Sequence, residues 1–503
     1  MAYPILNRDL LQGSTVFPND LKIPSLENNS PERVIQFGEG NFLRSFVDWM
    51  FQKINDEGLF GGKVVIVQPL AKGMVDLLNQ QDGLYTLFLR GYEGDEIVNR
   101  KEIISCISRG INPYEKWQEI LNLAKKPSIE FIVSNTTEAG IVYDPKDSAA
   151  FIPPNSFPGK LAVFLYHRYR NFSGDKSKGM VIIPCELIDR NGDNLKQIVL
   201  KLAEDWGLEQ DFVQWLKEAN TFVNTLVDRV VPGYPKDEIS ELTNKLGYTD
   251  KLISTAECFH LWVIEGPQEL SQQLPFAEAE LNVIWTEDLT PYRTRKVRIL
   301  NGAHTSSVPI SFLMDLDTVQ QMMEHPDTGK FVQEIVYEEI IPSIDLEEGM
   351  LREYAGDVIK RFKNPFIKHY LTSILLNSIS KYKTRVLPSL LRYIEKRGQI
   401  PEKLTLSLAS LLILYKENVL SKDGLIFQDE KYVLEFFKGL WFDYDGSRAA
   451  TVGVAKKALE NVSLWGQDLN KVNGLGEKVA DHLTAIITHG MRKALTDTLR
   501  IKD

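Results

Sequence analysis

The sequence predicts an α/β unit with a parallel sheet over residues 1–289, joined to an all-α unit over residues 290–503. Three observations lead there. Short apolar runs that read as buried strands recur in the first half, each opening into a polar or glycine-rich segment. After Thr290 such runs give way to helical-period segments at 329–342, 365–380, 386–397, 403–416, 430–438, 448–461 and 476–499. Finally, 503 residues are more than one ordinary core accommodates.

Composition narrows the class of function. The chain is 43% hydrophobic and 25% charged, as expected of a soluble globular protein, and its net charge of −10 argues against a general nucleic-acid or membrane-surface binder. Cys106, Cys185 and Cys258 are far apart and odd in number, giving neither a disulfide framework nor metal-ligand spacing, which fits a reducing cytoplasm. No secretion signal is visible at the N-terminus, and the apolar run at 408–415 is far too short to span a bilayer.

Residues 1–31 are a polar, proline-punctuated lead-in. The first strand, Arg33 to Phe37, runs into Gly38-Glu39-Gly40-Asn41-Phe42-Leu43-Arg44-Ser45, after which Phe42, Phe46, Trp49, Met50 and Ile54 keep helical spacing. Strand, glycine-rich turn and helix form the Rossmann-type context in which a dinucleotide pyrophosphate sits on backbone N–H groups. Leu43 stands where the third glycine of that fingerprint belongs, and a turn without ligand is the plainer alternative. The second strand, Lys63 to Val67, ends in Gln68, which can hydrogen-bond a ribose but does not repel a 2′-phosphate; with Lys72 nearby, these residues leave NAD against NADP open.

A third run, Glu130 to Ser134, opens into Asn135-Thr136-Thr137-Glu138-Ala139-Gly140, a polar loop where open α/β sheets bind ligands. Val181 to Glu186 repeats the theme before Asp189-Arg190-Asn191-Gly192-Asp193, whose Asn-Gly reads as a turn, and residues 195–220 read as helical. In the apolar stretch 222–232 the adjacent Asp228 and Arg229 fit internal pairing better than substrate contact, with Asp228 kept as a substrate candidate.

The stretch that organises the second half is Thr290 to Val308. Thr290 ahead of Pro291 is a helix start, and at about 100° per residue an α-helix carries Lys296, Asn301 and His304 to about 0°, 140° and 80° on one face. A proton-exchanging amine, an amide and an imidazole make a kit for alcohol/ketone chemistry; an exposed lysine beside a solvated amide is the bland reading. Gly302, costly inside a helix, marks a close approach. From Val358 to Ile394 there is no Asp or Glu, whereas Lys360, Arg361, Lys363, Lys368, Lys381, Lys383, Arg385 and Arg392 are present, a candidate positive patch for a carboxylate, cofactor phosphates or RNA. Two other motifs are discounted. Tyr292 and Lys296 match the Y-x-x-x-K spacing that 18 tyrosines produce by chance, and Gly474 to Ala480 resembles a DNA-binding hairpin in an acidic chain.

With these residues laid out, the chain resembles the polyol-specific long-chain dehydrogenases, the mannitol dehydrogenase family, over nearly its whole length. Lys296, Asn301 and His304 match the family's catalytic pattern, and Thr225 to Pro232 matches most of its signature, with Asn220 a minor departure. IQFGEGNFLR, QDGLYT, SNTTEAGI, IPCELID, NGDNL, LNGAHT and RFKNPFIKH resemble the branch that acts on hexonates. The resemblance implies a metal-independent, NAD-dependent cytoplasmic enzyme interconverting D-altronate and D-tagaturonate in hexuronate breakdown, with the site between its domains. It carries Val34, Ile35, Gln36, Phe37 and the turn through Ser45 over as cofactor-binding, along with Gln68 and Asn135 to Glu138. It makes Lys296 the general acid/base, with Asn301 and His304 orienting the substrate oxygen. The family often has Asp-Asn after its third-strand cysteine; this chain has Glu186-Leu187, so Asn191 is the substitute candidate for the second oxyanion amide. Arg361, Lys363, Lys381 and Arg385 are candidates for the sugar carboxylate. Rival expectations are fructuronate reduction to mannonate or a neutral-polyol dehydrogenase and, from another class, a nucleotide-responsive RNA-binding protein.

Overall fold

Residues 3–26, 30–137, 139–416 and 428–500 are described in the computed structural model of the chain. Backbone contacts divide it into two compact units, Met1–Leu289 and Thr290–Asp503.

The first unit is built on a six-stranded sheet. Its strands are β1 (Glu32–Phe37), β2 (Lys63–Val67), β3 (Ile107–Ile111), β4 (Phe131–Ser134), β5 (Val181–Pro184) and β6 (Thr221–Phe222). They lie in the order β3-β2-β1-β4-β5-β6, all parallel, which is the doubly wound dinucleotide-binding order. Successive residues of each strand point to opposite faces, and both faces are apolar, so both must be covered. Val34, Val64, Ile66, Phe131 and Ile183 pack on one side with α2 (Val47–Asp56), which follows the five-residue α1 (Asn41–Ser45). Ile35, Phe37, Val65, Val67 and Ile182 pack on the other with α3 (Pro113–Leu123), α4 (Phe157–Asn171) and α5 (Asn191–Asp205). The expected single helix over 195–220 is two, since Gln210–Ala219 forms its own element after Gly207 turns left-handed at φ 64°.

Two smaller sheets complete the unit. One orders strands Leu21–Lys22, Glu96–Ile104, Tyr85–Glu93 and Ser254–Ala256; the other joins β7 (Asn224–Asp228), β8 (Leu261–Glu265) and β9 (Val283–Thr286).

The second unit is helical throughout its described residues, with one isolated β-bridge between Thr318 and Tyr370. The lysine helix comprises α6 (Thr290–Arg295), a π-helical turn over Lys296–Asn301, and α7 (Gly302–Leu313). The sequence-based expectation of one uninterrupted α-helix is therefore corrected at its centre. The unit also contains α8 (Glu348–Phe362), α9 (Ser378–Arg385) and α10 (Glu402–Leu414). Two further expectations are corrected: α8 was not anticipated, and 365–380 is not one helix. Pro365 bars Asn364 from helical backbone, and Asn377 is left-handed at φ 53°.

Candidate active site

In the first unit the glycine turn stands at the carboxyl end of β1. Gly38 has φ 127°, and a Cβ there would meet the Asn135 carbonyl oxygen at 2.9 Å and Leu43 Cδ1 at 3.1 Å. This position therefore needs glycine. Gly40 is exposed, with nothing within 4 Å of a notional Cβ, so open space lies in front of the turn. Leu43, in place of the third glycine, is buried against Gly38.

Burial sorts the other turn residues. Val34, Ile35, Phe37, Leu43 and Ser45 are fully buried and contribute backbone and packing, with Ser45 Oγ on Ser254 Oγ at 2.7 Å. Arg44 is buried too. Its guanidinium donates to the carbonyls of Glu39 and Leu252 and to Asn41 Oδ1, and it lies over the Tyr85 ring. Within the turn carried over as cofactor-binding, Arg44 therefore braces the backbone from behind. Gln36 and Glu39 are also buried, whereas Asn41 and Phe42 are half-buried. Glu39 accepts from the Met74 N–H at 3.3 Å, and burial raises its carboxyl above the usual range.

Gln68 is 2% exposed and donates to the Leu70 and Ala71 carbonyls at 2.7 and 3.1 Å. Its amide N–H groups thereby shape the loop after β2. At the end of β4, Asn135 donates to the Cys185 carbonyl at 2.8 Å. Thr136 bonds Glu186 through both its N–H and its hydroxyl, and Ser134 Oγ reaches the other Glu186 oxygen at 3.0 Å. Glu186, with its carboxyl raised by burial, is thus the anchor of the β4 loop, a role the sequence reading missed. Its signal was an acid directly after a buried strand. Thr137 holds φ 73°, a strained conformation for a β-branched residue and a recurrent property of ligand-binding loops. Glu138 lies outside the described residues.

Asn191 is corrected. Its Nδ2 donates to the carbonyls of Pro184, Glu186 and Thr225 and to Thr225 Oγ1, while its Oδ1 accepts the N–H groups of Gly192 and Thr225. An amide so fully used ties β5 to β7 and has no donor left for a substrate oxygen. Asp228 is buried at the end of β7. Its neighbour Arg229 is structural, donating to the Glu257 and Ser45 carbonyls and stacking on Trp49.

In the second unit the π turn changes the relation between Lys296 and Asn301. An i→i+5 ring brings its two ends nearly into line, where an α-helix separates them by about 140°. Such turns are frequent at functional sites. Immediately beyond, Gly302 meets a neighbour as expected: a Cβ would stand 3.3 Å from the Arg385 carbonyl oxygen, so α9 passes directly over the end of the turn.

His304, one turn further, stacks on Phe362 at 4.0 Å and meets His369 edge-on at 5.2 Å. His369 is pushed below the usual imidazole range by burial and by Lys381. Lys381 is itself lowered by burial and by Arg385, and donates to the Ile374 carbonyl at 2.9 Å. Arg385 is lowered by burial. The imidazoles of His304 and His369 thus lead to the cations Lys381 and Arg385, with Asp429 an acid acting on Lys381. Of the other two carboxylate candidates, which flank Phe362, Arg361 is buried in α8 near Asp357 and Lys363 is exposed beyond its end. His369 was not singled out from sequence, because a lone histidine in a loop carries no periodic signal.

Residues 32–277 match the mannitol dehydrogenase Rossmann domain, and residues 288–487 match the mannitol dehydrogenase C-terminal domain. This chain belongs to the mannitol dehydrogenase family. Altronate oxidoreductase of Bacillus subtilis (strain 168) is 50% identical over 465 residues, covering 92% of this chain and 95% of the relative. Altronate oxidoreductase of Phocaeicola vulgatus is 43% identical over 480 residues, covering 95% and 99%. Among solved structures, Pseudomonas fluorescens mannitol 2-dehydrogenase in ternary complex with NAD and D-mannitol superposes with TM-score 0.72 at 20% identity, covering 99% of this chain and 100% of that one. Substrate-free D-sorbitol dehydrogenase does so with TM-score 0.81 at 20% identity, covering 98% and 100%. As a mannitol dehydrogenase family member the chain is an NAD-linked oxidoreductase acting on CH–OH groups. The parallel sheet order, the Gly38 close approach and the open space before Gly40 fit that cofactor. Among the described residues no cluster of His, Cys, Asp or Glu is arranged to hold a metal ion, and no helix is long and apolar enough to cross a membrane.

Proposed function

We propose that this chain interconverts D-altronate and D-tagaturonate, with Lys296 as the general acid/base. The observation that carries the reading is the π turn, whose ends are Lys296 and Asn301, followed by the imidazoles of His304 and His369 and the cations Lys381 and Arg385. Asp429 is an acid acting on Lys381; a hexonate brings a further negative charge to Lys381 and Arg385, whereas a neutral polyol brings none. Relatives at 43–50% identity that are altronate oxidoreductases support the same substrate pair.

When bound, NADH supplies the hydride that the carbonyl carbon accepts. The chain's own residues handle the oxygen. As the carbonyl becomes an alkoxide, the Lys296 ammonium donates a proton to it, and Asn301 Nδ2 and the His304 imidazole stabilise the developing charge. In the reverse direction the neutral amine takes the hydroxyl proton as hydride leaves carbon. Lys381 and Arg385 hold the carboxylate and so fix which carbon is presented.

The test is NADH oxidation with tagaturonate, fructuronate and fructose offered separately. Turnover highest with tagaturonate is the expected result. A preference for fructuronate reassigns the sugar acid, and equal turnover of fructose removes the carboxylate-binding role from Lys381 and Arg385.

A further inference from the structure

Beneath the glycine turn lies a buried pair that the reaction chemistry does not use. Gln36, on β1, donates through Nε2 to the Gly38 carbonyl at 3.0 Å and to Asp48 Oδ2 at 3.1 Å. The two remaining oxygens, Gln36 Oε1 and Asp48 Oδ1, are both buried with no hydrogen-bond partner among the described residues. Both groups are 0% exposed, out of reach of bulk solvent.

We infer that Asp48 is a protonated acid whose O–H closes a reciprocal pair with Gln36, and that this neutral pair is a positioning device for the dinucleotide turn. The inference rests on the reading of Gly38–Gly40 as the cofactor's pyrophosphate site. An ionised carboxylate only accepts hydrogen bonds, so an ionised Asp48 leaves two buried acceptors with nothing to accept. One proton on Oδ1 serves both at once. It also fixes which end of the Gln36 amide faces Gly38, because Oε1 is then engaged by the acid and Nε2 by the two acceptors. With the Gly38 carbonyl held inward, the trans peptide directs the Glu39 N–H the opposite way, toward the ligand side of the turn. A neutral acid also spares the pyrophosphate a negative charge below it.

The groups packed around Asp48 agree. Arg44, from α1, is the one cation acting on it, and its guanidinium is already shared among the Glu39 and Leu252 carbonyls and Asn41. Tyr85, from the strand Tyr85–Glu93, and the Cys106 thiol, from the link into β3, are both raised well above their usual ranges and stay neutral; the thiol donates to the Asp48 backbone carbonyl at 3.1 Å. Burial pushes Asp48 itself up to about 7. Because that lies above the ordinary 3.8, the group's contribution to stability is fully present below 3.8 and is lost as pH rises to about 7.

The experiment measures NADH binding by fluorescence titration on both sides of neutrality, in the wild type and in Asp48→Asn, with infrared spectra of each. Asn offers an N–H donor and a carbonyl acceptor in place of the acid's O–H and C=O, with a second N–H that the acid lacks. Wild-type affinity is expected to fall at least about fivefold as pH rises through neutrality, the lower end of a coupling between two sites. Asp48→Asn is expected to bind as tightly as the acidic wild type at every pH. A protonated-carboxyl C=O band should appear in the wild type on the acid side, vanish on the alkaline side, and be missing from the variant. The same pH slope in both proteins, or no such band, overturns the inference. Failure of the wild type to bind NADH at any pH overturns instead the reading of the turn.

Discussion

Lys296, at the start of the π turn, is the residue whose loss should separate binding from chemistry. Lys296→Ala is expected to keep NADH affinity, since the glycine turn belongs to the other unit, while losing about 10²- to 10⁴-fold in turnover, the usual worth of a positioned acid/base. Stopped-flow hydride transfer measured beside NADH titration checks this, and near-normal turnover removes Lys296 from the role. A second prediction separates the carboxylate candidates. Arg385→Met and Lys381→Met should each reduce kcat/KM for the sugar acid by roughly ten- to hundredfold, corresponding to about 1.5–3 kcal/mol for a charge-assisted bond, and Lys363→Met should change it little. Exposure explains the contrast: Lys363 is open to solvent, whereas Lys381 and Arg385 are half-buried beside one another. From sequence these three looked equivalent, because an acid-free stretch reports net charge and not which cations converge.

At the scale of the element, Asn191 illustrates how a polar residue at a strand's carboxyl end reads as chemistry yet serves as a joint. Its amide ties β5 to β7 through six hydrogen bonds. Asn191→Ala leaves the Thr225 N–H and the Pro184 and Glu186 carbonyls short of a partner, and should destabilise the protein by about 1–3 kcal/mol. Where the variant is folded, kcat should stay within a few-fold of wild type; thermal unfolding with kcat on the same sample decides. What was legible in the sequence follows the same division. The strand residues Val34, Val64, Phe131 and Val181 were readable because a sheet covered on both faces leaves uninterrupted apolar runs. The π turn was not, since the side-chain pattern around Lys296 is equally good for an α-helix and only the backbone reveals the extra residue in the ring. Helix α8 escaped because Gly349, Gly356 and a dense mix of charges dilute the spacing of Leu351, Tyr354, Val358 and Phe362.

For the molecule as a whole, the proposed reading divides the chemistry between the two compact units, dinucleotide recognition in Met1–Leu289 and oxygen and carboxylate handling in Thr290–Asp503. Ligand binding stabilises the segments it orders, and amide hydrogen exchange reports that segment by segment. NADH alone is therefore expected to slow exchange in the Gly38–Ser45 turn and in the β4 loop at Asn135–Thr137, where Glu186 already holds the backbone. Altronate added to the NAD-loaded protein is expected to slow exchange in the π turn, in α7 near His304, and across the segment that contains His369, Lys381 and Arg385. Mannitol at the same concentration, lacking a carboxylate, should protect the π turn less and leave the Lys381–Arg385 stretch unchanged. Protection by altronate confined to the first unit would detach the basic group from substrate binding, and with it the preference for an acidic sugar that its charges support.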